Sequence, residues 1–237
     1  MSLHPNRTVK FIDLELVSFQ AAWDFQTQLF NSTLGIKTAN RTLAVEEQTP
    51  TENFLIFCQH PHVYTLGKSG KESNLLVKPE NLAELGASYY HINRGGDITY
   101  HGPGQLVGYP VLDLENFFTD IHRYMRLLEE SIIRTLKVFG IESGRIPDLT
   151  GVWVDHQRKA RKICALGVKT SRWVTLHGFA LNINTDLSYF DHIVPCGISD
   201  KAVTSLEKEV GHAVEIDLVK EILKDNIAEV FEMNLIR

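Results

Sequence analysis

The sequence predicts an α/β fold of the α+β kind, a mixed, largely antiparallel sheet with helices packed against it, in one domain over residues 1–237. Three observations predict it. Runs of strand-like residues outnumber helical ones, and several follow one another at hairpin spacing. A strongly amphipathic helix stands near the middle of the chain. No linker, repeat or low-complexity stretch divides the sequence. In order, "VKFIDLEL" (9–16) reads as a strand. "SFQAAWDFQTQLF" opens a helix with Ser18 as N-cap and Phe19, Trp23, Gln26 and Phe30 at helical spacing. "NFLIFCQ" (53–59) is a buried-strand run. "PENLAELG" puts Pro79 at a helix start and Gly86 just past its end. "SYYHI" is a strand, and "QLVGYPVLDL" another, where Pro110 predicts an edge or a bulge. Over 120–140, Ile121, Met125, Leu128, Ile132, Leu136 and Phe139 share one helix face, which Gly140 ends. Strands follow at "GVWV", "RKICALGV", "WVTL" and "FALNI", and "DLVKEILKDNIAEVFEMNL" is the last helix.

A net charge of −5 argues against nucleic acid, whose binders are usually basic. No stretch approaches the apolar length of a membrane span, and the N-terminus lacks the apolar run of a signal peptide. Three cysteines, Cys58, Cys164 and Cys196, without a secretory signal predict reduced thiols in a cytoplasm. Cys58 and Cys164 lie in apolar runs and read as inert core thiols. Cys196 sits in "VPCGIS", between a proline and a glycine, where a turn can present a nucleophile to surrounding N–H groups.

The densest chemical signal is "RGGDITYHGPGQLVGYP" (94–110). Its glycines allow close backbone approach to a ligand, and "HGPG" turns sharply at His101. Locally, a substrate-lining loop and a tight turn with an incidental histidine fit equally well. Other motifs weaken on inspection. "GKS" (67–69) lacks the first glycine of a phosphate loop, since His62 stands there. "CQHPH" sets Cys58, His60 and His62 at alternate positions but has no fourth ligand at metal-site spacing. "HQRKARK" (156–162) reads as a basic hairpin tip.

Taken together, "HPHVYTLG", "RGGDITYHGPGQLVGYP", "RKICALGVK", "LHGFALNIN" and "IVPCGISDKAVTSL" resemble the lipoyl(octanoyl) transferases, in that family's order. The resemblance implies a catalytic domain related to biotin and lipoate protein ligases. It implies transfer of an octanoyl group from octanoyl-acyl carrier protein to one lysine of a lipoyl domain, in 2-oxoacid dehydrogenase E2 subunits or glycine cleavage H protein. It implies no cofactor and no metal. The acyl-carrying cysteine falls on Cys196, and the lysine that favours its thiolate and handles protons on Lys162. Substrate binding falls on Arg94, Gly95, Gly96, Asp97, Ile98, Thr99, Tyr100 and His101, on Ala165, Leu166 and Gly167, and on Gly178, Phe179 and Ala180. Extended alternation would put Cys164, Leu166 and Val168 on the side of Lys162. Arg158, Lys159 and Arg161, with Lys68 and Lys71, are the cations that could steer an acidic carrier protein. The competing reading is an ATP-dependent lipoate or biotin ligase, which needs no cysteine nucleophile.

Overall fold

The computed structural model describes residues 5–194 and 202–236. Among these, nine strands form the main sheet and three a smaller one. In the main sheet, β1 (Thr8–Leu16) runs parallel to β2 (Asn53–Gln59), which pairs antiparallel with β6 (Gln105–Val111). The sheet continues antiparallel through β10 (Val174–Asn182), β9 (Arg161–Ser171), β8 (Leu149–Val154) and β7 (Ser143–Ile146). Two short strands join in parallel: β12 (Asn234–Ile236) on β1, and β11 (Ala202–Val203) on β9. In the second sheet β3 (Val63–Leu66) lies between β4 (Ser88–His91) and β5 (Ile98–His101).

Both faces of the main sheet are covered. Helices α2 (Ile121–Val138) and α4 (Ile216–Phe231) pack Leu128, Ile132, Leu223 and Ile227 with Leu55 and Phe57 of β2. On the opposite face α1 (Phe19–Asn40) packs Ala22 and Phe30 with Ile56 and Cys58. This is why "NFLIFCQ" is apolar without alternation: successive side chains enter two different cores. The cap predicted at Ser18 forms, and the structure adds one at Asp120. Ser18 Oγ accepts from Ala21 N–H at 3.2 Å, and Asp120 Oδ1 from Arg123 N–H at 3.0 Å.

Four local expectations change. Residues 79–86 make a 3-10 turn at Pro79–Asn81 and further turns, not an α-helix. Bonds from Glu84, Leu85 and Gly86 reach back three residues, and over residues 80–86 only Leu82 is in the buried core, too little to offset helix nucleation. Pro110 lies in the middle of the sheet, not at an edge. Pairing of β6 with β10 covers only 105–108, so no partner on β10 asks for the missing N–H, and Thr175 Oγ1 bonds the Pro110 carbonyl at 2.7 Å instead. "WVTL" and "FALNI" are one strand, β10. The last helix stops at Phe231, and the residues after it become β12.

Strands β9 and β10 are joined by a two-residue turn, Arg172–Trp173, with φ of 49° and 66°. Both residues take the left-handed conformation that a type I′ hairpin demands, although neither is glycine. From Ser171↔Val174 to Cys164↔Leu181 the pairing runs without a register shift.

Candidate active site

A cleft of about 430 Å³ opens where this hairpin meets the 92–101 segment. Its floor is Ala165–Val168 of β9 and His177–Ala180 of β10, and a wall is formed by Arg94–Thr99 and His101. Glycine makes the floor possible. A Cβ on Gly178 would lie 2.1 Å from the Gly108 carbonyl oxygen, and one on Gly167 would lie 2.8 Å from that of Gly95. The wall is docked on the floor by Gly95 N–H, which bonds the Val168 carbonyl at 3.0 Å. Residues 67–69 bond the same wall from outside, through Gly67 to Asp97, Lys68 to Arg94 and Ser69 to Gly96. The "GKS" stretch is thus a brace for the "RGGD" loop.

Arg94 is 8% exposed. Its Nη2 donates to Thr65 O at 2.8 Å and Thr65 Oγ1 at 3.0 Å, and its Nη1 to Gly95 O at 3.0 Å. The guanidinium therefore ties the cleft wall to β3. Tyr100 departs from the sequence-based set. It is fully buried, away from the cleft lining, and its hydroxyl bonds His62 Nδ1 at 2.7 Å. Strand alternation explains this, since Thr99 and His101 face the cleft while Tyr100 joins the aromatic cluster with Tyr64 and Phe190.

Lys162 lines the cleft at the start of β9. Its Nζ lies 4.6 Å from the Trp153 ring centroid, a cation–π contact. A Cβ on Gly151 would sit 3.2 Å from Lys162 Cε, so the bare glycine leaves room for the lysine stem. The expected alternation from Lys162 to Cys164 breaks at a bulge. Trp153 pairs with Lys162 and the preceding Val152 with Cys164, leaving Ile163 as the extra residue. Cys164 therefore turns into the core while Lys162 faces the cleft. Cys58 is equally buried, and burial pushes both thiols far above their ordinary range. Cys196 lies outside the described residues. On either side of that segment, Val194 N–H bonds Asn74 O at 2.8 Å, and Val203 pairs with Lys162.

Three imidazoles gather nearby. His101 and His177 line the cleft, and the His60 and His101 ring centroids are 6.0 Å apart. His60 does not hold a metal-like triad with its neighbours. Its Nδ1 donates to Val17 O at 2.8 Å, its Nε2 meets the Tyr109 hydroxyl at 2.8 Å, and His62 stacks on Tyr189 instead. His177 adopts φ of 64°, and its N–H bonds Gln26 Oε1 at 3.0 Å. Burial lowers all three, His60 to about 4 and His101 and His177 to about 3, with His60 a further cause at His101 and Arg94 at His177. The unfolded chain binds protons at these rings below about pH 6.5, whereas the folded chain does not until pH 3–4. Their contribution to stability is thus complete above pH 6.5 and is lost as pH falls toward 3–4. The urea midpoint is expected to drop between about pH 7 and about pH 4.5, and His177→Gln to flatten that slope. A slope unchanged in the variant would contradict the buried neutral ring.

Among the proposed steering cations, Arg161 is engaged by Glu209 at 2.9 and 3.0 Å and by Asp155 at 3.5 Å. Arg158, Lys159, Lys68 and Lys71 are exposed. Several lining residues carried no sequence signal for this site: Phe19 from α1, Met125 from α2, Thr150 from β8 and Val203 from β11. Each reads as ordinary core or turn and enters the cleft only through long-range packing.

Residues 21–228 match the Lipoyl protein ligase A/B catalytic domain family. An octanoyltransferase of Cytophaga hutchinsonii is 59% identical over 99% of this chain and 97% of its own. Among solved structures, a bi-partite lipoate protein ligase from Thermoplasma acidophilum superposes with a TM-score of 0.68 at 18% identity, covering 98% of this chain and 88% of that one. A lipoate-protein ligase A bound with ATP gives 0.65 at 17% identity, over 98% and 90%. At such identities the structures establish the ligase-like fold, whereas the close sequence relatives set the family. The chain belongs to the octanoyltransferases, acyltransferases built on the lipoyl protein ligase A/B catalytic domain.

Proposed function

We propose that the whole chain acts as one cytoplasmic catalytic domain that moves an octanoyl group from octanoyl-acyl carrier protein to a lysine of a lipoyl domain. The observation that carries this reading is the cleft: a glycine floor, apolar flanks from Leu166, Val168 and Phe179, and Lys162 on its lining. Each methylene buried there contributes about 0.8 kcal/mol, so the alkyl chain itself supplies the recognition.

The chemistry proceeds in two halves. Cys196 thiolate attacks the donor thioester, a new C–S bond forms, and the carrier's thiolate leaves and takes up a proton. The lysine amine of the acceptor then attacks the Cys196 thioester. The C–N bond forms, the C–S bond breaks, and the proton lost by the amine returns to the cysteine by way of Lys162. The first half is nearly balanced and the second is downhill. Arg94–Thr99 with His101, Ala165–Gly167 and Gly178–Ala180 cradle the acyl group. Acceptors of this chemistry are lipoyl domains of E2 subunits and of glycine cleavage H protein.

An ATP-dependent ligase on the same fold would activate a free acid as an adenylate. Intact mass spectrometry separates the two. With octanoyl-acyl carrier protein and no ATP, the protein is expected to gain one octanoyl group in place of one hydrogen, then lose it when a lipoyl domain is added. Product that forms only from octanoate and ATP would establish the ligase instead.

A further inference from the structure

A hydrogen-bond chain runs from the cleft to Thr204, the residue that follows β11. His101 is 7% exposed, Gln105 1%, Asn182 4% and Thr204 0%. Its polarity is fixed by two backbone carbonyls, which can only accept. Asn182 Nδ2 donates to Thr204 O at 2.9 Å, so Asn182 Oδ1 faces Gln105. Gln105 Nε2 donates to that Oδ1 at 2.8 Å and to Tyr100 O at 3.2 Å. Gln105 Oε1 is then what meets His101 Nδ1, at 2.8 Å. An amide oxygen needs a donor, so the proton of the neutral ring sits on Nδ1 and Nε2 carries the lone pair. At the far end, Thr204 N–H bonds Lys162 O at 2.9 Å.

We infer that Gln105 and Asn182 are positioning residues, which hold His101 as its Nδ1–H tautomer and so keep Nε2 as a hydrogen-bond acceptor in the acyl cleft. The role of that acceptor rests on the proposed transfer reaction. In the second half, the Nε2 lone pair accepts an N–H of the incoming amine and aims the amine's own lone pair at the thioester carbon. No proton is transferred to the ring. In the first half the attacking group is a thiolate, which has no N–H to offer, so His101 is idle there. The two halves therefore depend on the relay differently, which simple packing of buried polar groups would not produce.

The test joins a spectrum to single-turnover kinetics. Long-range proton–nitrogen spectra of histidine-labelled protein, with His101 assigned by its loss in His101→Gln, are expected to show Nδ1 protonated. Gln105→Met and Asn182→Ala are expected to admit the other tautomer. In both, loading of Cys196 from the donor should stay within about twofold of wild type, while transfer to the lipoyl domain slows by at least about tenfold, less than the ~10²- to 10⁴-fold of a lost acid–base group because the ring itself is kept. A wild-type ring protonated on Nε2 would overturn the inference, and so would equal slowing of both halves. Should the wild type take up no octanoyl group, the transfer reaction falls, while the nitrogen spectrum still decides the tautomer.

Discussion

Replacing Cys196 by serine is expected to cut amide formation by roughly a thousandfold or more, because the acyl-carrying nucleophile is gone. No octanoyl adduct should then be detected by mass spectrometry. Cys58→Ser and Cys164→Ser are expected to keep most of the transfer rate, since both thiols are buried and held protonated. Their cost falls on stability, about 1–3 kcal/mol where the new hydroxyl finds no partner. An octanoyl group mapped to Cys164 would overturn the assignment of the nucleophile.

Lys162→Ala is expected to lower transfer by roughly 10²- to 10⁴-fold, the range of a lost acid–base group. If the ammonium favours the Cys196 thiolate, its removal raises the thiol's pKa, since an opposite charge has been withdrawn. Alkylation by iodoacetamide should then need higher pH in the variant than in wild type. Lys162→Arg separates the two roles: it keeps the charge and the low-pH alkylation, but exchanges protons poorly. An alkylation profile that is the same in Lys162→Ala and wild type would remove the electrostatic role and leave proton handling alone.

Much of the fold was legible because its signals are short-range. The 53–59 run, the 120–140 face and the cap at Ser18 need only neighbours a few residues away, and they stand where the sequence puts them. The failures share a cause. Pro110 reads as an edge or bulge residue, until β10 leaves it without a paired partner and Thr175, 65 positions later, donates its hydroxyl to the Pro110 carbonyl. Alternation along "RKICALG" reads as unbroken until β8 imposes a bulge at Ile163. The turn after Pro79 has helical spelling but too little apolar surface to hold a helix. At the cleft, the glycine segments were legible as motifs, and the structure sets them around one cavity. Phe19, Met125 and Val203 were not, because an apolar side chain carries no mark of whether it faces a core or an acyl chain.

The Arg172–Trp173 turn has a consequence for which changes in chain length the protein can tolerate. Surface loops usually absorb insertions and deletions. This one has no slack, because a pleated strand exchanges its two faces with every single-residue slip. One added residue there would shift β10 against β9 and part Gly167 from Gly178, which now stand opposite each other. At ~3.3 Å per residue, Ala165 lies about 20 Å along the strand from Ser171. The size of a surface turn therefore dictates, from that distance, which atoms meet an acyl chain, so side-chain changes in the hairpin are expected to be tolerated where a change of its length is not.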